Sequence, residues 1–354
     1  MPLPETLRRL LTAPGPSGYE QAPAAVFREA AAAFGAEVTH DTVGSTVARV
    51  RARPPGGGPL TAIVGHIDEI GMVVHHVDDD GFLWFTGVGG WDPIILVGQR
   101  VEVCTRAGRV PGVVGKKPIH LMKEDDRKKV PQLKELHIDI GAKDGEQARS
   151  MVRVGDAAVI AGEPVELPNR RWVARSMDNR LGCFVALEAA RLVAEQGGAP
   201  GDVCAVAVAQ EEITFGCAHT TAYSLRPDVA VVVDVTFASD TPGLDEKEIG
   251  RHRFGSGPVL TRGSTLDPKL FELLHETAEA EQIPFTVGAS ARYTGTDADA
   301  FHRSRKGIPT AVVSVPLRYM HSPVETVQLD DVENAARLIA AFAQRLSPDI
   351  EFSR

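Results

Sequence analysis

No stretch of about 18 uncharged apolar residues occurs anywhere in these 354 residues, so no segment reads as a bilayer-spanning helix. The opening MPLPETLRRLLTAPGPSGYE also lacks an apolar run long enough for a secretory signal core. The expected location is therefore the cytoplasm, without a membrane partner. Cysteine is scarce: Cys104, Cys183, Cys204 and Cys217 lie far apart with no Cys-x-x-Cys spacing, which argues for reduced, buried thiols and against a zinc ribbon or a redox pair. Positive charge is in deficit, with 38 Lys and Arg against 47 Asp and Glu; phosphate is repelled by such a surface, and nucleic-acid binding is not expected. No glycine-rich phosphate-binding spacing is present, so Gly71, Gly89 and Gly90 read as turn residues. Peptides and other small solutes remain as substrates.

The hydrophobic fraction of 43% is enough for a substantial core in one large or two moderate domains. Helical spacing over 4–12 and 21–34 leads into a β-rich stretch from Glu37 to Val50 and a turn cluster from Pro54 to Pro59. TAIVGH then reads as a buried strand ending at His66, and GMVVHHV starts another. From there to about Gly162, short β-prone pieces alternate with glycines, prolines and polar turns, the texture of a small β-barrel or sandwich. The charge-dense HLMKEDDRKKVPQLK (120–134) reads as a solvated loop. After Pro168, helix and strand alternate again: a helix from Asp178 to Gln196 stops at Gly197-Gly198, and DVCAVAVAQ, DVAVVVDVT and TAVVSV are apolar enough to be strands covered on both faces. DVENAARLIAAFAQRL closes the chain as a helix. An α/β sheet flanked by helices and interrupted by an inserted β domain accounts for both textures.

Acidic or imidazole residues stand where apolar strands end in GHIDEIG (65–71), SMDN (176–179), AQEEI (209–213), VVDVT (232–236) and YMHSP (319–323). The carboxyl ends of strands are where open α/β sheets bind ligands, so five such endings point to one site. Any one has a plainer role, and Asp178 could simply cap the helix that follows it. Together they are oxygen and imidazole donors suited to Zn, Co or Mn. His66 and Asp68, two apart in extended backbone, face the same side, so that Asp68 can take the second imidazole proton and fix the ring. The adjacent Glu211 and Glu212 diverge, leaving one for a metal and the other for water. Side-by-side carboxylates are costly unless cations offset them.

The sequence resembles the M42 family of metallo-aminopeptidases, which includes glutamyl and deblocking aminopeptidases and the tetrahedral TET peptidases. The likeness runs from PSGYE through GHIDEIG, GGWDP, LVGQRV, DIGA, MDNR, QEE, VDVTFASDTPG and TGTDAD to RYMHSPVE and LDDVENAARL. It implies an α/β/α sandwich of the zinc-dependent exopeptidase type over 1–70 and 165–354, with a β-barrel dimerisation domain inserted at 71–164. It further implies two divalent metals per subunit: His66 and Asp234 on one, Glu212 and His321 on the other, and Asp178 bridging both. Glu211 would be the general base on a bridging water, with Asp68 as a second catalytic residue beside His66. Short peptides with a free amino terminus would be the substrates and a dimer-based tetrahedral dodecamer the assembly. ITFGCA after the glutamate pair and Ser176-Met177 before Asp178 depart mildly from the family pattern, which touches fine specificity and no ligand.

TGTDAD, with Arg292 and Tyr293 before it, falls where the family has its active-site mouth; His75, His76, His219 and His252 read as ordinary core or surface residues. A dinuclear amidase or deacylase of related fold is the second reading. A glycosidase is a third, but two carboxyls about 5–10 Å apart would leave His66, Asp234 and His321 without a role.

Overall fold

The computed structural model describes residues 2–53 and 57–352, so the first part of the expected Pro54–Pro59 turn lies outside the described residues. An eleven-stranded mixed sheet forms the body. At its centre four strands run parallel in the order Val203–Val208, Thr61–His66, Val229–Phe237 and Thr310–Arg318. The chain lays Thr61–His66 first, adds Val203–Val208 on one side and then Val229–Phe237 on the other. Its direction of growth reverses at the His66 strand, and such a switch opens a crevice beyond the carboxyl ends.

Both faces of these strands are covered. Ile63, Ala205, Val231, Val233 and Val313 pack under the helices Met177–Glu195 and Leu329–Arg345, with Glu5–Thr12 and Gln21–Ala33 beside them. Their neighbours Ala62, Val64, Val206, Val232 and Val312 face the helix Gly216–Leu225 and the short turn Ala298–Phe301. Successive side chains of a strand point to opposite faces, so a strand covered on both sides must be apolar throughout. Among the described residues no helix is long and apolar enough to cross a membrane.

Between Gly71 and Ile160 the chain leaves the sheet and closes a six-stranded barrel. Met72, Val74, Leu83, Phe85, Val103 and Ile138 fill it. The charge-dense 120–134 stretch is largely exposed and carries short helical turns at Ile119–Leu121, Glu124–Arg127 and Leu133–Glu135, more local structure than a plain loop. One strand end was misread. Asp234 sits inside Val229–Phe237, because that strand continues past the His66 strand while paired with Thr310–Arg318 as far as Phe237.

A close approach fixes the long helix to the sheet. A Cβ built on Gly65 would lie 2.4 Å from the Gly182 carbonyl carbon, and one built on Gly182 would lie 2.5 Å from the Val233 carbonyl oxygen. Only two bare backbones fit there. The helix start is anchored by Arg180, fully buried, which donates to the carbonyls of Ile67 (3.0 Å), Leu10 and Ala13 and pairs with Glu69 at 2.9 Å. Glu69 also pairs with Arg175 and accepts from the Gly15 N–H at 3.0 Å. The amino-terminal segment, the His66 loop and the start of the long helix are thereby joined in one buried network. Gly65→Ala should lower the free energy of unfolding by about 3 kcal/mol, because the obstructing atoms are backbone and cannot turn aside. Denaturant titration of both proteins checks this, and unchanged stability would show that the helix can move away.

Candidate metal centre

Six acid and imidazole side chains converge on the crevice. His66 ends its strand and is buried, its Nε2 3.2 Å from Asp178 Oδ1 and 3.7 Å from Glu211 Oε2. His321 Nε2 lies 3.5 Å from Asp178 Oδ2 and 3.2 Å from Glu212 Oε1. Asp178 thus presents one oxygen to each histidine, and the two glutamates diverge as neighbours in sequence must. Asp178 is not the helix cap: Ser176 holds that position, and Asp178 has non-helical backbone in the first turn. Ligand atoms of His66, Asp178 and Glu212 lie within 4.8 Å of one another, as do those of His66, Glu211 and Asp234. All seven residues expected at the site are in this region.

The supporting residues are less visible in the sequence. Asp68 is fully buried and accepts from Ser17 Oγ and from the backbone N–H groups of Glu211 and Glu212, both at 3.1 Å. It also approaches His66 Nδ1 to 3.4 Å, an ion-pair contact that falls short of hydrogen-bond geometry, and Nδ1 has no hydrogen-bond partner among the described residues. Its hydrogen bonds therefore serve to fix the glutamate pair. Glu20 accepts from the Gln210 N–H at 3.1 Å, holding the left-handed turn that precedes Glu211. Glu325, also buried, accepts from the Asp178 N–H at 3.1 Å and the His321 N–H at 2.9 Å, linking the two loops that face each other across the site. The barrel contributes as well. His321 Nδ1 donates to the Gly90 carbonyl at 2.8 Å, which leaves Nε2 as the ring nitrogen that faces Asp178 and Glu212. Gly90 is thus more than a turn residue, and Trp91 beside it donates to the Gly71 carbonyl at 2.7 Å.

Within TGTDAD, Asp299 accepts from the Thr294 and Gly295 N–H groups at 2.9 and 2.8 Å, fixing the loop at the rim. Asp297 is buried, and neither of its oxygens has a hydrogen-bond partner among the described residues. Burial lifts it to about 7, with His66 opposing and Asp68 adding to the rise. His75 and His76 are exposed, and His252 is buried against Thr286 Oγ1 at 2.8 Å. The four cysteines are free thiols.

The electrostatics of the cluster are set by burial and by mutual repulsion of its carboxylates. Burial pushes Glu211 up to about 10, with His66 opposing and Asp234 adding to the rise. Glu212 and Asp234 are raised first by burial, with Asp178 adding to both, and Glu325 is held well above its usual range by the same two causes. Burial would lower both histidines. Instead Glu211, Asp178 and Asp68 hold His66 well above its usual value, and Glu212 and Asp178 bring His321 to about 9. Asp68 alone among these carboxylates is lowered: burial opposes this, but His66, Ser17 and the Glu212 N–H outweigh it. Among the described residues, no lysine or arginine lines the crevice of about 410 Å³. Four crowded carboxylates without a basic side chain suit divalent cations.

The profile of M42 glutamyl aminopeptidases matches residues 44–338. A lysyl aminopeptidase of Pyrococcus furiosus is 34% identical over 352 residues, 97% of each chain. The TET aminopeptidase of the archaeon Thaumarchaeota SCGC AB-539-E09 superposes with a TM-score of 0.91 at 36% identity, covering 97% of this chain and 96% of its own. The Pyrococcus horikoshii TET1 peptidase, described as assembling into a tetrahedron or a large octahedral shell, gives 0.84 at 32% identity over 97% and 99%. Fold and relatives together define an aminopeptidase. The chain belongs to the M42 glutamyl aminopeptidase family.

The raised groups fix the sign of a pH effect. His321, raised to about 9, and Glu211, raised to about 10, bind protons more tightly in the folded than in the unfolded chain. The stability they confer is complete below their unfolded values and is lost as pH climbs through the folded ones. Metal-stripped protein should therefore lose thermal stability from about pH 6.5 to 9. Zinc should reverse the trend, because binding expels those protons and tightens as pH rises. Melting curves across that range, with and without metal, check this; parallel curves would count against metal at this site.

Proposed function

We propose that this chain is a dinuclear metal-dependent aminopeptidase that releases the first residue of short peptides. The observation that carries the reading is Asp178, which offers one oxygen toward His66 and the other toward His321, with Glu211 beside the first histidine and Glu212 beside the second. On this reading His66 and Asp234 would hold one cation and Glu212 and His321 the other, with Asp178 serving both. Zinc is the favoured metal, and cobalt and manganese suit the same donors. When bound, two divalent cations supply Lewis acidity for the scissile carbonyl and offset the crowded carboxylates. Glu211 takes a proton from the attacking water as its oxygen bonds to the carbonyl carbon, then passes it to the amine as the C–N bond breaks. Asp68 keeps Glu211 aimed by accepting from its backbone N–H. His321 is held by Gly90 and Glu325.

The division into a catalytic unit, 1–70 and 165–354, and an inserted dimerisation unit, 71–164, belongs to the same proposal. The closed barrel between Gly71 and Ile160 supports it, together with Ile119, Leu121 and Val130, which stand exposed at its surface. A hollow tetrahedral dodecamer is the assembly proposed, in line with the shells described for the TET1 relative. A cytoplasmic location rests on the free thiols.

A short peptide with a free amino terminus, and the same peptide acetylated, test the activity. The expected result is release of the first residue from the free peptide only, abolished by EDTA and restored by metal. Glu211→Gln should lower kcat by a factor of about 10²–10⁴ while metal content stays the same. Equal cleavage of the acetylated peptide, or activity indifferent to chelation, would overturn the reading.

A further inference from the structure

The walls of the crevice beyond the charged centre are not charged. Its ionisable residues are His66, Asp178, Glu211, Glu212, Asp234 and His321. The rest of the lining includes Phe215, Phe237 and Met320 with the hydroxyls of Thr236, Thr294 and Thr296. Phe215 occupies a left-handed turn (φ 52°) between two helical segments, a conformation unfavourable for a bulky side chain, and here it brings the ring to the crevice. Phe237 is 49% exposed at the end of the Asp234 strand, an apolar surface left open beside the site. The facing loop is built firmly, with Asp299 accepting from the Thr294 and Gly295 N–H groups and Thr296 Oγ1 accepting from the Ala298 N–H at 3.2 Å.

The arginines that neighbour the lining in sequence lie outside it. Arg318 pairs with Asp240 at 2.5 Å and lies over the Phe254 ring at 4.2 Å, and Arg292 is exposed outside the lining. A lysyl side chain entering this space would have to compete for carboxylates already committed to the metal centre. A glutamyl side chain would meet those same carboxylates. Either would lose hydration without gaining a partner, whereas a leucyl or methionyl side chain would gain contact with two rings and a thioether.

We infer that this site selects peptides beginning with an uncharged, largely apolar residue, and that Phe215, Phe237 and Met320 form the contact for that side chain. The inference rests on the aminopeptidase reading and narrows its substrate class. The test is a panel of Leu, Met, Phe, Lys, Arg and Glu p-nitroanilides with the intact, metal-loaded protein, repeated with EDTA. The expected kcat/KM for Leu or Met exceeds that for Lys or Glu by at least about tenfold. A chelation-sensitive activity led by Lys, Arg or Glu would overturn the selectivity while leaving the aminopeptidase reading intact; silence across the whole panel would overturn both. Phe237→Glu, a change at a half-exposed position, should move the Lys-to-Leu ratio toward Lys by about tenfold, mainly through KM, at unchanged metal content. An unmoved ratio would remove Phe237 from the contact.

Discussion

The site depends first on a steric allowance. Gly65, next to His66, and Gly182, four residues after Asp178, meet backbone to backbone where no Cβ fits. That contact sets the distance between the long helix and the His66 strand. Asp178 can therefore reach both His66 and His321, although it comes from a loop on the far side of the inserted barrel in sequence. The contact holds because it is framed by polar anchors: Asn179 Nδ2 donates to the Val233 carbonyl at 2.8 Å, and Arg180 gathers carbonyls from the amino-terminal segment and the His66 loop. Packing sets the spacing, and hydrogen bonds set the angle.

A second constraint is charge. Carboxylates and imidazoles are buried together, and the raised pKa values of Glu211, Glu212 and Asp234 express the cost of ionising in that company. A fold that tolerates such a cluster gives up stability for it, which divalent cations would restore on binding. Around the cluster, Glu20, Asp68, Glu325 and Gly90 each hold a backbone or an imidazole in place, and Ser17 holds the Asp68 carboxylate. These groups come from the amino terminus, the barrel and the last sheet strands, so the site is shared between both textures of the chain.

How much of this could be read in advance follows from locality. His66, Glu211, Glu212 and His321 adjoin strands apolar enough to recognise, and the family resemblance covered nearly the whole chain. Asp234 was found as a residue but misplaced as a strand end, because the length of its strand is decided by its pairing with Thr310–Arg318. Glu325 lies within the quoted RYMHSPVE, yet its acceptance of two backbone N–H groups from opposite sides of the crevice has no local signature. Gly90 acts through a carbonyl, which every residue possesses.

The sequence by itself determined the apolar strands of an α/β core, a small β-rich insert between two halves of the sheet, and the donor types of the site. Apolar runs, glycine-punctuated β pieces and side-chain chemistry are properties of short segments. Tertiary structure alone decided the use of Asp68 to hold two glutamate backbones, the barrel's reach to His321 and the uncharged wall made by Phe215, Phe237 and Met320. Each joins segments distant along the chain, and only the closed fold brings them within bonding distance.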